Sequence, residues 1–151
     1  SICSQLIRDL LKKDELSLAS QLYLTQNEMK EMKTMGIYFG SHGLTHRWLN
    51  TLSYTDQLTE IKDSFLYLRE HSLIKKEDPL VMCYPFGAYN SDSIKILNEL
   101  DIDFSLTTEV GYAYLTKGTN LHVLRRWDTN DCWDNEWRKP VLPCPINTLT
   151  T

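Results

Sequence analysis

Apolar positions along the chain recur first at helical spacing and then in short blocks. Ile2, Leu6, Ile7, Leu10 and Leu11 fall on one face of a 3.6-residue period, which predicts an amphipathic helix over about residues 3–13. A second helix is expected after Thr25, because Thr25 and Glu28 have the Thr-x-x-Glu spacing of a capping box. It should stop at Gly36, the residue type that best tolerates the left-handed conformation of a helix C-terminus. Ile37-Tyr38-Phe39 then reads as a strand. Ser53 caps a long helix over about 54–71, with Leu58, Ile61, Phe65 and Leu68 as its apolar stripe. The run Leu80-Val81-Met82-Cys83-Tyr84, halted by Pro85, predicts a buried strand. A helix over about 91–100 (Ile94, Leu97, Leu100), a strand over about 103–107 and a last strand from Leu121 to Arg126 complete the pattern.

Strands alternating with helices imply parallel pairing through right-handed crossovers, hence an α/β sheet or barrel. In such folds the chemistry gathers at the carboxyl ends of the strands. From Trp127 onward the pattern changes, with Trp127, Trp133, Trp137, Pro140, Pro143 and Pro145 close together. We therefore divide the chain into a domain over residues 1–126 and an irregular Trp- and Pro-rich segment, 127–151, wrapped over its surface. With 151 residues, 42% hydrophobic and 24% charged, the chain has the size and balance of one globular domain, not of a disordered tail or a rod. No apolar run reaches the ~18 residues of a transmembrane helix. A net charge of −4 without a basic stripe argues against nucleic acid as a partner. Charges at Arg8, Lys12, Lys13, Asp14 and Glu15 are wrong for a signal peptide. Cys3, Cys83, Cys132 and Cys144 contain no Cys-x-x-Cys pair, so a zinc ribbon is not expected, and pairing of Cys132 with Cys144 stays open.

Two constellations carry candidate chemistry. Gly40-Ser41-His42-Gly43-Leu44-Thr45-His46 follows directly on the strand expected to end at Phe39. Histidines four residues apart share a face if the chain between them makes a helical turn, and could then meet one metal ion. The competing reading has one ring bonding the backbone and the other facing solvent. Tyr84-Pro85-Phe86-Gly87-Ala88-Tyr89-Asn90 stands at the carboxyl end of the next strand, where a tight turn could aim a backbone N–H into the same cleft. Trp48, two residues after His46, is either a wall for stacking on a sugar ring or part of the core.

Ser-His-Gly-Leu-Thr-His followed by Tyr-Pro-Phe-Gly-Ala-Tyr-Asn resembles the polysaccharide deacetylases of the NodB-homology type, carbohydrate esterase family 4. The likeness runs over about residues 20–126. Cys83 stands where that family more often has an Arg, which is similar to the branch acting on poly-N-acetylglucosamine. The resemblance implies a distorted (β/α) barrel and metal-assisted hydrolysis of N-acetyl groups on an N-acetylated polysaccharide, with zinc or another divalent ion polarising the acetamide carbonyl. It implies metal ligation by His42 and His46, an oxyanion-hole N–H from Phe86, an orienting role for Arg126 near the catalytic carboxylate, and substrate contacts from Tyr84 and Trp48. A cell-envelope or secreted setting follows from the same likeness.

The family's opening Thr-Phe-Asp-Asp-Gly motif, source of the base and the third ligand, has no counterpart, since no Asp-Asp pair occurs in the 151 residues. Asp56 and Asp63 fall on the long helix and Asp128 and Asp131 in the tail. The general acid is equally open: His122 reads as an exposed histidine at a strand end. With no Met at position 1, we expect a fragment whose barrel lacks its first strand and whose own activity is low, with a homodimer closing the gap as one possibility. The alternative is an inactive carbohydrate-binding module derived from the same fold.

Overall fold

A computed structural model describes residues 2–12 and 14–128. They form two compact units, whose boundary in the long helix falls after Tyr67. The first runs to Phe39 and includes Leu68–Lys76; the second comprises Gly40–Tyr67 and the chain from Glu77 onward. Trp133, Trp137, the tail prolines, Cys132, Cys144 and Asp131 lie outside the described residues.

The first unit is helical. Helix α1 spans Ile2–Leu11, α2 Glu15–Leu22 and α3 Gln26–Thr34. The hydrophobic pattern does not announce α2, and the reason is plain in the structure. It buries no residue, Leu16 being 84% exposed, and it is defined by its cap, in which the Asp14 carboxylate accepts from the Ser17 amide at 2.8 Å. At α3 the expected capping box is present in full: Glu28 accepts from the Thr25 amide while Thr25 Oγ1 accepts from the Glu28 amide. These bonds also draw the exposed Glu28 carboxyl below its usual range.

The strand expected at Ile37–Phe39 does not form. Gly36, at φ +91°, closes α3 in a Schellman arrangement: its amide reaches Lys33 O and the Ile37 amide reaches Met32 O at 3.0 Å. The Ile37 donor is therefore spent on the helix end. Pairing begins only at Ser41, as a single parallel bridge to Met82.

The second unit is built on a parallel sheet. β1 (Val81–Cys83) pairs with β2 (Phe104–Val110), and β2 pairs with β3 (Leu124–Arg126). β2 extends further than its hydrophobic block suggests, and the last strand is shorter than expected. Leu121–Val123 is a 3₁₀ turn instead, because Asn120 Oδ1 accepts from the His122 amide at 2.9 Å and curls the chain before it can extend. α4 (Tyr54–Glu70) has its Ser53 cap, whose hydroxyl accepts from the Asp56 amide at 3.2 Å. α5 (Ser91–Glu99) starts in an Asn90–Ser93 capping box. Ile61, Phe65, Met82, Ile96, Leu97 and Leu124 are buried in this unit.

The buried face of α4 differs from the expected stripe. Its core positions are Gln57, Glu60, Ile61, Ser64 and Phe65, so three polar side chains share it. Each has a partner, as burial demands. Gln57 accepts from Ser93 Oγ at 2.6 Å and donates to Leu52 O at 3.1 Å. Ser64 bonds Ile61 O and Ser41 Oγ at 2.6 and 2.5 Å.

The turn after β1 is closed by Gly87, whose amide donates to Tyr84 O at 2.9 Å with φ at +69°. A Cβ there would run into the Thr108 side chain on β2. Left-handed strain of ~1–2 kcal/mol and overpacking of ~1–3 kcal/mol then add. Gly87→Ala should lower stability by roughly 2–4 kcal/mol in urea denaturation, and Thr108→Ala in the same background should recover part of that loss. A variant within about 0.5 kcal/mol of the parent would contradict the packing described.

Candidate functional site

The two histidines meet, but not through a helical turn. Residues 42–46 form a loop in which Gly43 lies at φ +80° and His46 at φ +59°. This double reversal, not the i,i+4 relation of a helix, brings the imidazoles together with Nε2 atoms 3.1 Å apart. Ser41 anchors the loop's entry, its amide donating to Val81 O and its carbonyl accepting from the Cys83 amide, each at 2.8 Å. His42 Nδ1 is 2.8 Å from Cys83 O. A carbonyl only accepts, so Nδ1 carries the proton and the neutral ring keeps its lone pair on Nε2, toward His46.

Glu60 on α4, only 6% exposed, reaches into the same loop. One carboxylate oxygen accepts from the amides of Leu44 and Thr45 at 3.1 and 2.9 Å, and the other accepts from the Thr45 hydroxyl. The hydrophobic pattern passes over Glu60 because a charge breaks the apolar stripe. The available signal is its place one residue before the core Ile61 and three after Gln57, on the buried side of the helix period.

Phe86 also takes a left-handed backbone (φ 57°, ψ 12°). Its ring lies 4.5 Å from the His46 ring and stacks on Trp48 at 4.7 Å and 11°. Both aromatics are about half exposed, Phe86 at 50% and Trp48 at 52%, so Trp48 is not a core residue. The result is an open apolar wall beside the histidine pair.

The other expected residues are placed differently. Tyr84, expected to touch substrate, is 2% exposed, and its hydroxyl donates to His122 O at 2.8 Å. Burial pushes its phenol well above the usual range. Tyr84 is thus a core residue, a correction that follows from its place on the inward side of the chain leaving β1. Arg126 donates from Nε to Thr107 O at 2.9 Å. Its charge acts on Cys83, whose thiol is nevertheless pushed up by burial. His122 corrects the expectation of an exposed strand-end residue: it is buried, with Nδ1 3.2 Å from Ser105 Oγ.

The donor set suits a divalent ion as far as it goes. Two nitrogens each ~2.0–2.1 Å from one tetrahedral ion lie roughly 3.3 Å apart, close to the 3.1 Å between the two Nε2 atoms. The bond from His42 to Cys83 O is the kind of outer contact that fixes a ligating ring. Among the described residues, no third His, Cys, Asp or Glu joins the pair to make a three-ligand group.

Comparison with known proteins bears on this site. Residues 9–105 match the polysaccharide deacetylase family model. A curated relative, the putative polysaccharide deacetylase YxkH of Bacillus subtilis, is 30% identical over 110 residues, covering 73% of this chain and 38% of that protein. The Streptococcus pyogenes deacetylase PplD, solved in complex with acetate, is 35% identical with a TM-score of 0.61, over 68% of this chain and 43% of that one. BC0361, a polysaccharide deacetylase from Bacillus cereus, is 27% identical with a TM-score of 0.57, over 68% and 31% of the two chains. The chain thus spans less than half the length of each of these relatives.

His122 gives this region a pH dependence. Burial lowers its pKa below the ordinary value of about 6.5, so as pH falls the unfolded chain takes up the proton first. The stability tied to neutral His122 is complete above the unfolded value and is lost as pH drops through the folded one. The urea midpoint of the parent should fall more between pH 7.5 and pH 5 than that of His122→Gln, compared pairwise. Parallel pH profiles for the two proteins would contradict this.

Proposed function

The chain belongs to the polysaccharide deacetylase family, and on that premise we propose that it supplies the two-histidine part of a divalent-metal site that removes N-acetyl groups from an N-acetylglucosamine-type glycan. The observation that carries this reading is the convergence of His42 and His46, with the outward nitrogen of His42 fixed by a main-chain oxygen. A bound divalent ion supplies Lewis acidity toward an acetamide carbonyl. His42 and His46 would hold it. The Phe86 amide, on its left-handed turn, donates to the oxygen on which negative charge develops. The Phe86–Trp48 wall packs against a pyranose face. Arg126, whose Nε donates to Thr107 O, takes the orienting role near the catalytic carboxylate. Acetate, named with the PplD structure, is the second product of such a hydrolysis. Among the described residues no third His, Cys, Asp or Glu joins the pair, so the third ligand and the general base are assigned to parts of the protein beyond those residues; the chain spans 38% of the curated relative's length.

A binding-only role is the second reading, favoured by the exposed Trp48–Phe86 stack. Acetate release from acetylated chito-oligosaccharides separates the two. The expected result is chelator-sensitive turnover by a longer protein carrying an Asp-Asp strand, and little or none by the 151-residue chain. A longer protein that binds glycan yet releases no acetate would favour the binding module. In zinc titrations of the 151-residue chain, His42→Ala or His46→Ala should abolish binding while changing the unfolding free energy in urea by about 0.5 kcal/mol or less, since both rings sit at the surface. Unchanged zinc affinity in both variants would overturn the metal reading.

A further inference from the structure

We infer that Glu60 is the positioning residue of the histidine pair: a buried carboxylate that holds the 42–46 loop in the one conformation where the two imidazoles converge. The inference builds on the reading of His42 and His46 as metal ligands, and its geometry is independent of that reading.

Loop residues Gly43 and His46 are both left-handed, at φ +80° and +59°. For a residue with a Cβ that conformation is disfavoured, so something must hold His46 there. Between the two reversals, the amides of Leu44 and Thr45 and the Thr45 hydroxyl all turn toward α4, and all three donate to Glu60. A carboxylate offers about four acceptor positions on two oxygens, enough for three donors at once. Without it, two backbone amides would lose their partner in a part-buried setting. The far side of the loop is closed as well. A Cβ on Gly43 would come within 3.3 Å of Pro85 Cγ and 3.5 Å of Glu60 Oε2, so the backbone is seated between the carboxylate and the turn that carries Phe86. Glu60 touches neither imidazole among these contacts. It acts through the loop, and its effect belongs to ligand placement.

The test uses the 151-residue chain and two readouts, zinc affinity by calorimetry and the ring-to-ring NOE between His42 and His46 without metal. Glu60→Ala removes all three acceptances and should abolish the NOE and weaken zinc binding about 10–100-fold, the usual cost of losing an outer-shell partner. Glu60→Gln should restore most of both, because its amide oxygen can accept from the two backbone amides while its NH₂ donates to Thr45 Oγ1. Ile61→Val, a truncation at the neighbouring core position, should lower stability and leave both readouts unchanged. A folded Glu60→Ala variant that keeps the NOE and the parental zinc affinity overturns the proposal, as does an Ile61→Val variant that loses both. If the parent takes no zinc yet Glu60→Ala loses the NOE, the metal reading fails and the positioning role stands. Should Glu60→Ala not fold, Thr45→Val takes its place: loss of one donor should weaken the NOE and zinc binding several-fold, and no change would overturn the proposal.

Discussion

Three residues of strand bear most of the organisation of the sheet-forming unit. β1 is only Val81–Cys83, yet its backbone is used on both sides, by Ser41 on one and by β2 on the other. Buried main-chain donors and acceptors must be paired, so these bonds set the height of every segment that leaves the sheet. Ser41 in register with Met82 puts His42 level with the Cys83 carbonyl. The same register places the Tyr84–Gly87 turn beside it, with the Phe86 ring against His46. A slip of one residue at Ser41 would separate the histidines from both.

The polar face of α4 answers to that arrangement. A helix lying against a sheet ordinarily buries an apolar stripe; this one buries Gln57, Glu60 and Ser64 alongside Ile61 and Phe65. Each polar group is spent on a different neighbour: Gln57 on the start of α5, Glu60 on the histidine loop, Ser64 on Ser41. Buried polar groups weaken a core unless they are satisfied, and satisfied ones fix relative position in a way that methyl groups do not. The helix thereby fixes three neighbours in place: the first turn of α5, the histidine loop and Ser41.

Much of the fold was legible in the sequence because it is signalled by short-range rules. The Thr25–Glu28 box, the Ser53 cap and the Gly36 stop are local hydrogen-bond chemistry, readable from residue type and spacing. The histidine pair was legible as a pair, but its geometry was not, since nothing in His-x-x-x-His says that residue 46 adopts a positive φ. Ile37–Phe39 misled because β-prone residues were preceded by a helix end that consumes the first donor. His122 and Tyr84 misled because burial of a strand-end side chain depends on what lies across the sheet. Glu60 was hidden for the opposite reason: charge at a core position reads as surface until its donors, 15 and 16 residues away, are seen.

The hold on His42 comes from a main-chain oxygen, and every residue type has one. The side chain at position 83 therefore has no part in orienting that imidazole, and its identity can drift without changing the tautomer. The Cys83 thiol itself is free and half-buried, and that burial raises its pKa. This hold on His42 is robust to side-chain changes at position 83 and sensitive to changes that move the strand. Sequence divergence at such a position carries no information about loss of the site, whereas a proline at 83, which would delete the amide that Ser41 accepts from, would undo it at once.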